Sequence, residues 1–238
     1  VGANNRVNQN SNNIVSWNWK EQAGVFDIVS FTGNGTARTI SHNLGSVPKF
    51  MIIKDRNNVR NWGTYHVSIG AGSDAGYLNN TVVPEANNNF WNNTTPTSSV
   101  FSVGTDGTYN ANGVPYIVYL FGDSSMSKCG SYVGNGNANG TFVNTSSIGT
   151  PAFVMIKRTS SAESWILVDN KRNPFNKVNN YLLADNNTAE VGGVSYDFLS
   201  NGLKFVGTSQ NSSGATYIYI IMSASPFQTS SGVPNTAR

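Results

Sequence analysis

Ser30-Phe31-Thr32-Gly33-Asn34-Gly35 returns as Ser131-Tyr132-Val133-Gly134-Asn135-Gly136, and the features downstream of the first stretch recur downstream of the second in the same order. Pro48-Lys49-Phe50-Met51-Ile52-Ile53-Lys54 is answered by Pro151-Ala152-Phe153-Val154-Met155-Ile156-Lys157, Asn61-Trp62 by Ser164-Trp165, and Tyr77-Leu78 by Tyr181-Leu182. The series closes with Val114-Pro115-Tyr116-Ile117 against Ala215-Thr216-Tyr217-Ile218. The chain therefore reads as a tandem duplication. Features shared by the two copies are expected to be architecture, and features that differ are where a site is to be sought.

Working outward, Phe26 to Phe121 offers short β-rich runs separated by Gly, Asn, Pro and Ser clusters, with no helical apolar period. Gly33-Asn34-Gly35 supplies positive-φ turn positions before Ala37 to Ile40. Phe50 to Lys54 is nearly all apolar, as a strand covered on both faces would be. The same order runs from Lys128 to Met222. The expected fold is all-β: two tandem antiparallel β-sandwiches of jelly-roll character, residues 26–121 and 128–222, joined by a linker at 122–127. Residues 1–25 read as an Asn-rich arm followed by a first strand, in which alternation puts Val15, Trp17 and Trp19 of Ile14 to Lys20 on one face. Residues 223–238 read as a connector, and an opening without Met as that of a processed product or a piece of something longer.

Composition narrows the chemistry. Only 11% of the 238 residues are charged, whereas 35 are Asn, so the surface is neutral and polar. The net charge of +3 comes from 15 basic and 12 acidic residues scattered along the chain, without the Lys/Arg patch that phosphate neutralisation needs, which argues against nucleic acid. No apolar run has the length of a membrane-spanning helix. One cysteine, Cys129, and two histidines exclude an internal disulfide and a Cys/His zinc site, and no cofactor is expected.

Catalysis would require paired acid and base, and the acidic residues are isolated. Asp185 and Glu190 come closest to a pair but fall in a turn-like stretch. His42 and His66 occur in the first copy only and lack a nucleophile signature. Asp106-Gly107-Thr108-Tyr109-Asn110-Ala111-Asn112-Gly113 alternates oxygen ligands as a calcium loop would, but a β-turn explains the same residues and the second copy has no carboxylate there. No catalytic or metal residue is assigned.

Aromatics are the remaining candidates, since exposed Trp faces stack on sugar rings. Trp62 and Trp165 occupy matching places and are expected to be core anchors. Phe90 and Trp91, with Asn92 and Asn93, lie in the unmatched run Asn87 to Pro96 and form the leading ligand-binding candidate. A loop that tucks its aromatics onto its own sheet is the competing reading. Lys171, Arg172 and Lys177 form the one small basic cluster, a possible contact for acidic glycans or a neighbouring subunit, against the reading of a solvated loop.

Taken together, Phe26 to Thr36, His42-Asn43-Leu44-Gly45-Ser46-Val47-Pro48, Asn61-Trp62-Gly63-Thr64-Tyr65-His66, Lys128 to Gly136 and Gly214 to Ile220 resemble a repeat module of tail-fibre and related virion proteins of aquatic and marine tailed bacteriophages. The resemblance implies an extracellular, virion-exposed module attached to other virion proteins. It supplies no catalytic residues. The expected function is thus non-enzymatic: part of a tail fibre or receptor-binding appendage that contacts host glycans, as a homo-oligomer of which the trimer is the common fibre form. A capsid decoration or fibre-shaft protein touching only virion subunits is the alternative, and a secreted glycan-active enzyme is disfavoured.

Overall fold

A computed structural model describes residue 10 and residues 14–70, 72 and 74–224. The connector assigned to 223–238 and most of the arm before 14 lie outside the described residues. Within them the protein is nearly all β, and every strand pair is antiparallel.

The first eight strands are β1 (Phe26–Thr32), β2 (Arg38–Ser41), β3 (Phe50–Asp55), β4 (Gly63–His66), β5 (Asp74–Tyr77), β6 (Glu85–Ala86), β7 (Val100–Val103) and β8 (Pro115–Phe121), with a single helical turn α1 (Gly107–Asn110) before β8. They form a six-stranded sheet of order β1-β8-β3-β4-β5-β6 and a separate ribbon β2-β7. The next eight are β9 (Ser127–Val133), β10 (Asn139–Asn144), β11 (Pro151–Arg158), β12 (Ile166–Asp169), β13 (Val178–Leu183), β14 (Val191–Leu199), β15 (Gly202–Val206) and β16 (Thr216–Ser223). These make one sheet of order β9-β16-β11-β12-β13-β14-β15-β10, which curls until its end strands approach each other. Counted from the start of each half, the order is the same, except that β6 and β7 do not pair whereas β14 and β15 do.

Apolar patterning accounts for the layers. In β8, Tyr116, Val118 and Leu120 face the core of the first half, and Tyr119 and Phe121 face the second half. In β16, Tyr217, Tyr219 and Ile221 face the core of the second half, whereas Ile218, Ile220 and Met222 face the first. Strands β3 and β11 divide in the same way. The nearly continuous apolar runs thus have two faces to cover, one by each half's own interior and one by a seam between halves.

Each half is tied at one end by a buried asparagine. Asn110 donates through Nδ2 to the carbonyls of Thr36 (2.7 Å) and Gly104 (2.8 Å), and its Oδ1 accepts from Asn34 N at 3.1 Å. Asn211 donates through Nδ2 to Asn137 O (3.1 Å) and Gly207 O (2.9 Å), and its Oδ1 accepts from Asn135 N at 3.0 Å. Beside them, Gly33 and Gly134 run so close to the backbone carbonyls of Ala111 and Ser212 that a Cβ on either would overlap the oxygen. The Gly-Asn-Gly stretches are therefore both turns and docking points for these amides.

Two expectations are corrected. Residues 14–20 belong to no strand: their two indoles dock, but among the described residues their backbone has no hydrogen-bond partner. Trp62, expected in the core, is 37% exposed, while Trp165 is buried in the seam. The difference follows from position, because Trp62 sits at the seam's rim and Trp165 beneath it, where its Nε1 donates to Tyr77 O at 2.9 Å.

Candidate functional site

The chain has few charged groups, and several of its carboxylates hold turns. Asp55 closes the loop after β3, accepting from the amides of Asn57 and Asn58 (both 2.9 Å) and pairing with Arg60 at 3.2 Å. Burial works against its carboxylate, but the Asn58 and Asn57 hydrogen bonds and Arg60 hold its pKa below the ordinary value. Asp169 repeats the arrangement with the amides of Lys171 and Arg172, and burial is again outweighed by those bonds and the Arg172 charge. Asp106 caps α1 through Thr108 N at 2.7 Å, the role of a turn residue in the candidate calcium loop. Asp185 accepts from Ser164 Oγ (2.9 Å) and Trp165 N (3.0 Å), and Glu190 binds Arg172 and Asn180, so each of these carboxylates is tied to its own partners.

Both histidines hold fixed roles. His42 Nε2 donates to Thr97 O at 3.2 Å and Nδ1 accepts from Leu44 N at 3.3 Å. His66 Nε2 donates across the seam to Tyr219 O at 3.0 Å, and Nδ1 accepts from Ser68 N at 3.1 Å. In each ring the acceptor role of Nδ1 leaves Nε2 as the donor. For His66, burial drives the pKa down to about 4, against the pull of the Tyr219 carbonyl. Lys157 is a third buried group with a structural task. Its Nζ donates to Thr81 O at 2.8 Å and to Glu163 O, and burial lowers its pKa to about 8 although Asp185 and Glu163 oppose the shift.

The leading aromatic candidates lie inside. Phe90 and Trp91 are 2% and 1% exposed and pack in the core of the first half, where Trp91 meets Tyr109 edge-on at 4.9 Å and Tyr65 at 5.9 Å between centroids. The expectation that these rings stack on a ligand is thereby overturned, and the competing reading of a loop folded onto its own sheet describes them. The physical reason is the missing β6–β7 pairing. Strand β6 has two residues where β14 has nine, and the loop fills the gap: Gly104 N donates to Phe90 O (2.7 Å), Asp106 N to Asn89 O (3.0 Å), and the two rings plug the core. Asn92 and Asn93 remain exposed at positive φ. In the basic cluster, Arg172 is spent on Asp169 and Glu190, whereas Lys171 and Lys177 are exposed. The structure does not bring the amides and these lysines into one described site.

What it does assemble is the seam. Phe50, Phe121, Phe153, Met155, Trp165, Leu167 and Ile220 form a buried cluster between the halves. The segment 14–20 lies over one side of it as a strap. Trp17 packs edge-on against Phe153 (5.5 Å), Trp19 packs against Phe121 (5.8 Å) and Phe26 (6.1 Å), and Trp19 Nε1 donates to Met222 Sδ at 2.8 Å. Beside the strap is an open hollow of about 500 Å³ lined by carbon, with Trp62, Leu78, Leu182 and Leu183 on its other side. Burying a large apolar side chain contributes about 1.5–3 kcal/mol, and fixing one backbone residue costs about 1–2 kcal/mol. Two partly buried indoles therefore offset the ordering of only a few of the seven strap residues. A second hollow of about 340 Å³, at β9 and β16, is of mixed character, lined by Ser68, Ser131, Thr159 and Thr216 together with Tyr132, Val133, Tyr217 and Ile218, and Thr159 and Thr216 are bonded to each other at 2.7 Å.

Sequence reasoning missed Asn110, Asn211, His66 and Lys157. The matching of Asn110 and Asn211 within the paired turn regions was the signal that could have found the first two.

The chain belongs to the family described as Domain of unknown function (DUF7483), matched over residues 1–226. No curated protein matches it, and no solved structure does.

Proposed function

We propose that this chain is a non-enzymatic structural module of a tailed-bacteriophage virion, in a tail fibre or receptor-binding appendage, and that its halves are jelly-roll-like sandwiches descended from one duplicated unit. The observation that carries the structural reading is the use made of the charged and titratable groups. Asp55, Asp106, Asp169, His42, His66 and Lys157 each hold turns or the seam together, leaving amides and hydroxyls to face outward. The shared strand order and the matching Asn110 and Asn211 networks support descent by duplication. The motif resemblance supports the virion setting.

Contact with a host glycan, within this reading, falls to the hollow at β9 and β16 and to Asn92, Asn93, Lys171 and Lys177, since Phe90 and Trp91 are inside. An uncharged hollow that sets Ser and Thr beside Tyr, Val and Ile offers an uncharged sugar both hydrogen bonds and apolar contact. Locating the protein in purified particles by antibody labelling and electron microscopy tests the reading, with the tail as the expected position. Absence from particles, or release of reducing sugar from host polysaccharide that one Asp or Glu substitution abolishes, overturns it. Label over the capsid lattice would support the decoration alternative instead.

A further inference from the structure

We infer that the strap of residues 14–20 is exchangeable between copies, so that the strap of one chain seats its Trp17 and Trp19 in the seam of a second copy of the same chain. The occupant of this apolar site is already seen in place: the strap itself, bound against Phe153, Phe121 and Phe26. Its hold on its own body is side-chain only. Residues 14–20 make no backbone hydrogen bond among the described residues, and the one hydrogen bond from strap to body is Trp19 Nε1 to Met222 Sδ. The strap's own contacts would be remade on an identical seam, and the cost of exchange falls on the hinge after it, where Gln22 is bonded to Phe26 and Gly24 N to Leu44 O.

Two further observations favour the exchanged form. Ile14, Val15 and Trp19 of the strap remain 49%, 44% and 42% exposed, an apolar load too large for a segment that has reached its most buried position. The strap also lines only one side of the hollow, leaving Trp62 37% exposed and Leu78 and Leu182 half-buried on the other, so bringing two copies together can cover apolar surface that the strap does not. The seam is continuous with the buried cluster that joins the two halves, which gives the incoming indoles a preformed floor. The inference does not depend on the virion reading. It requires only that local concentration approach the millimolar effective concentration of a short intramolecular link.

The test mixes two variants of the full chain, Trp17→Cys and Phe153→Cys, each carrying Cys129→Ala, under mild oxidation. Exchange gives a disulfide-linked heterodimer, because the only route from position 17 of one chain to position 153 of the other is a strap lying on a foreign seam. Sedimentation of the unmodified protein is the second measurement. Dimer is expected as concentration rises, and Trp17→Ala with Trp19→Ala weakens the dimer at least tenfold while the far-ultraviolet circular dichroism is kept. The inference is overturned if the mixture yields no heterodimer while Trp17→Cys with Phe153→Cys in one chain closes internally. It is equally overturned if the unmodified protein stays monomeric throughout, or if the double alanine variant dimerises as well as the parent.

Discussion

His66 reaches across the seam to Tyr219, its Nε2 donating to the backbone carbonyl at 3.0 Å while the ring is 1% exposed. The folded protein keeps this imidazole neutral down to about pH 4, whereas an exposed histidine takes up its proton near pH 6.5. Between those values the unfolded chain binds the additional proton, so stability from this group is full above pH 6.5, falls as pH drops toward 4, and is level below. Over 2.5 pH units at about 1.4 kcal/mol each, the loss is about 3 kcal/mol. Urea denaturation at a series of pH values should show this decline, and His66→Gln should flatten it. An unchanged slope in the variant would assign the pH dependence elsewhere.

Asn110→Ala takes the donor from two carbonyls, buried at Gly104 and part-buried at Thr36, and the acceptor from one amide; Asn211→Ala does the same to two part-buried carbonyls and to the amides of Asn135 and Thr141. With about 1–3 kcal/mol for a stranded buried polar group, each variant is expected to lose on the order of 3 kcal/mol in denaturant titration. Asn110→Asp should be no milder, because it turns an oxygen toward Thr36 O and Gly104 O. The two alanine effects should add, since the networks lie in different halves.

Trp91→Ala removes an indole from the centre of the first core and should cost about 3–5 kcal/mol in thermal or urea unfolding. Any loss of adsorption in this variant should follow its unfolding. Asn92→Gly, at an exposed position whose positive φ glycine keeps without strain, should leave stability within about 0.5 kcal/mol of the parent and is the cleaner probe of surface contact.

Gly33→Ala places a methyl on the carbonyl oxygen of Ala111, a backbone atom that cannot swing aside as a side chain would. A loss of about 1–3 kcal/mol is expected from such crowding, and Gly134→Ala against Ser212 O should match it. Equal losses, measured by differential scanning calorimetry, would indicate that the two turns bear the same constraint.

Much of the strand order was readable because β1, β3, β8, β9, β11 and β16 carry strong β-formers between Gly and Asn punctuation. Strands β5, β6, β10, β13 and β14 were not, since Asp74-Ala75-Gly76-Tyr77, Asn139-Gly140-Thr141 or Val191-Gly192-Gly193 have turn-like composition and become strands only through their neighbours. The strap erred the other way. Its alternation is real, but the two indoles satisfy it by docking, without a partner strand. Phe90 and Trp91 misled because Asn-rich flanks suggested exposure, when the gap they fill is set by the shortness of β6 and its failure to pair with β7. The role of His66 depends on a carbonyl 153 residues away, which no local pattern encodes.

Among the described residues, three side-chain hydrogen bonds between the two halves, from His66 to Tyr219, Trp165 to Tyr77 and Lys157 to Thr81, end on main-chain oxygens. A carbonyl is present whatever residue bears it, so these bonds ask nothing of the side chains at 77, 81 and 219, and the identity of Tyr77 and Tyr219 answers to packing instead. Inheritance of these polar ties is thus lopsided, residing in the donors. Halves taken from divergent relatives should still lock together in chimeras that retain those donors and the apolar seam.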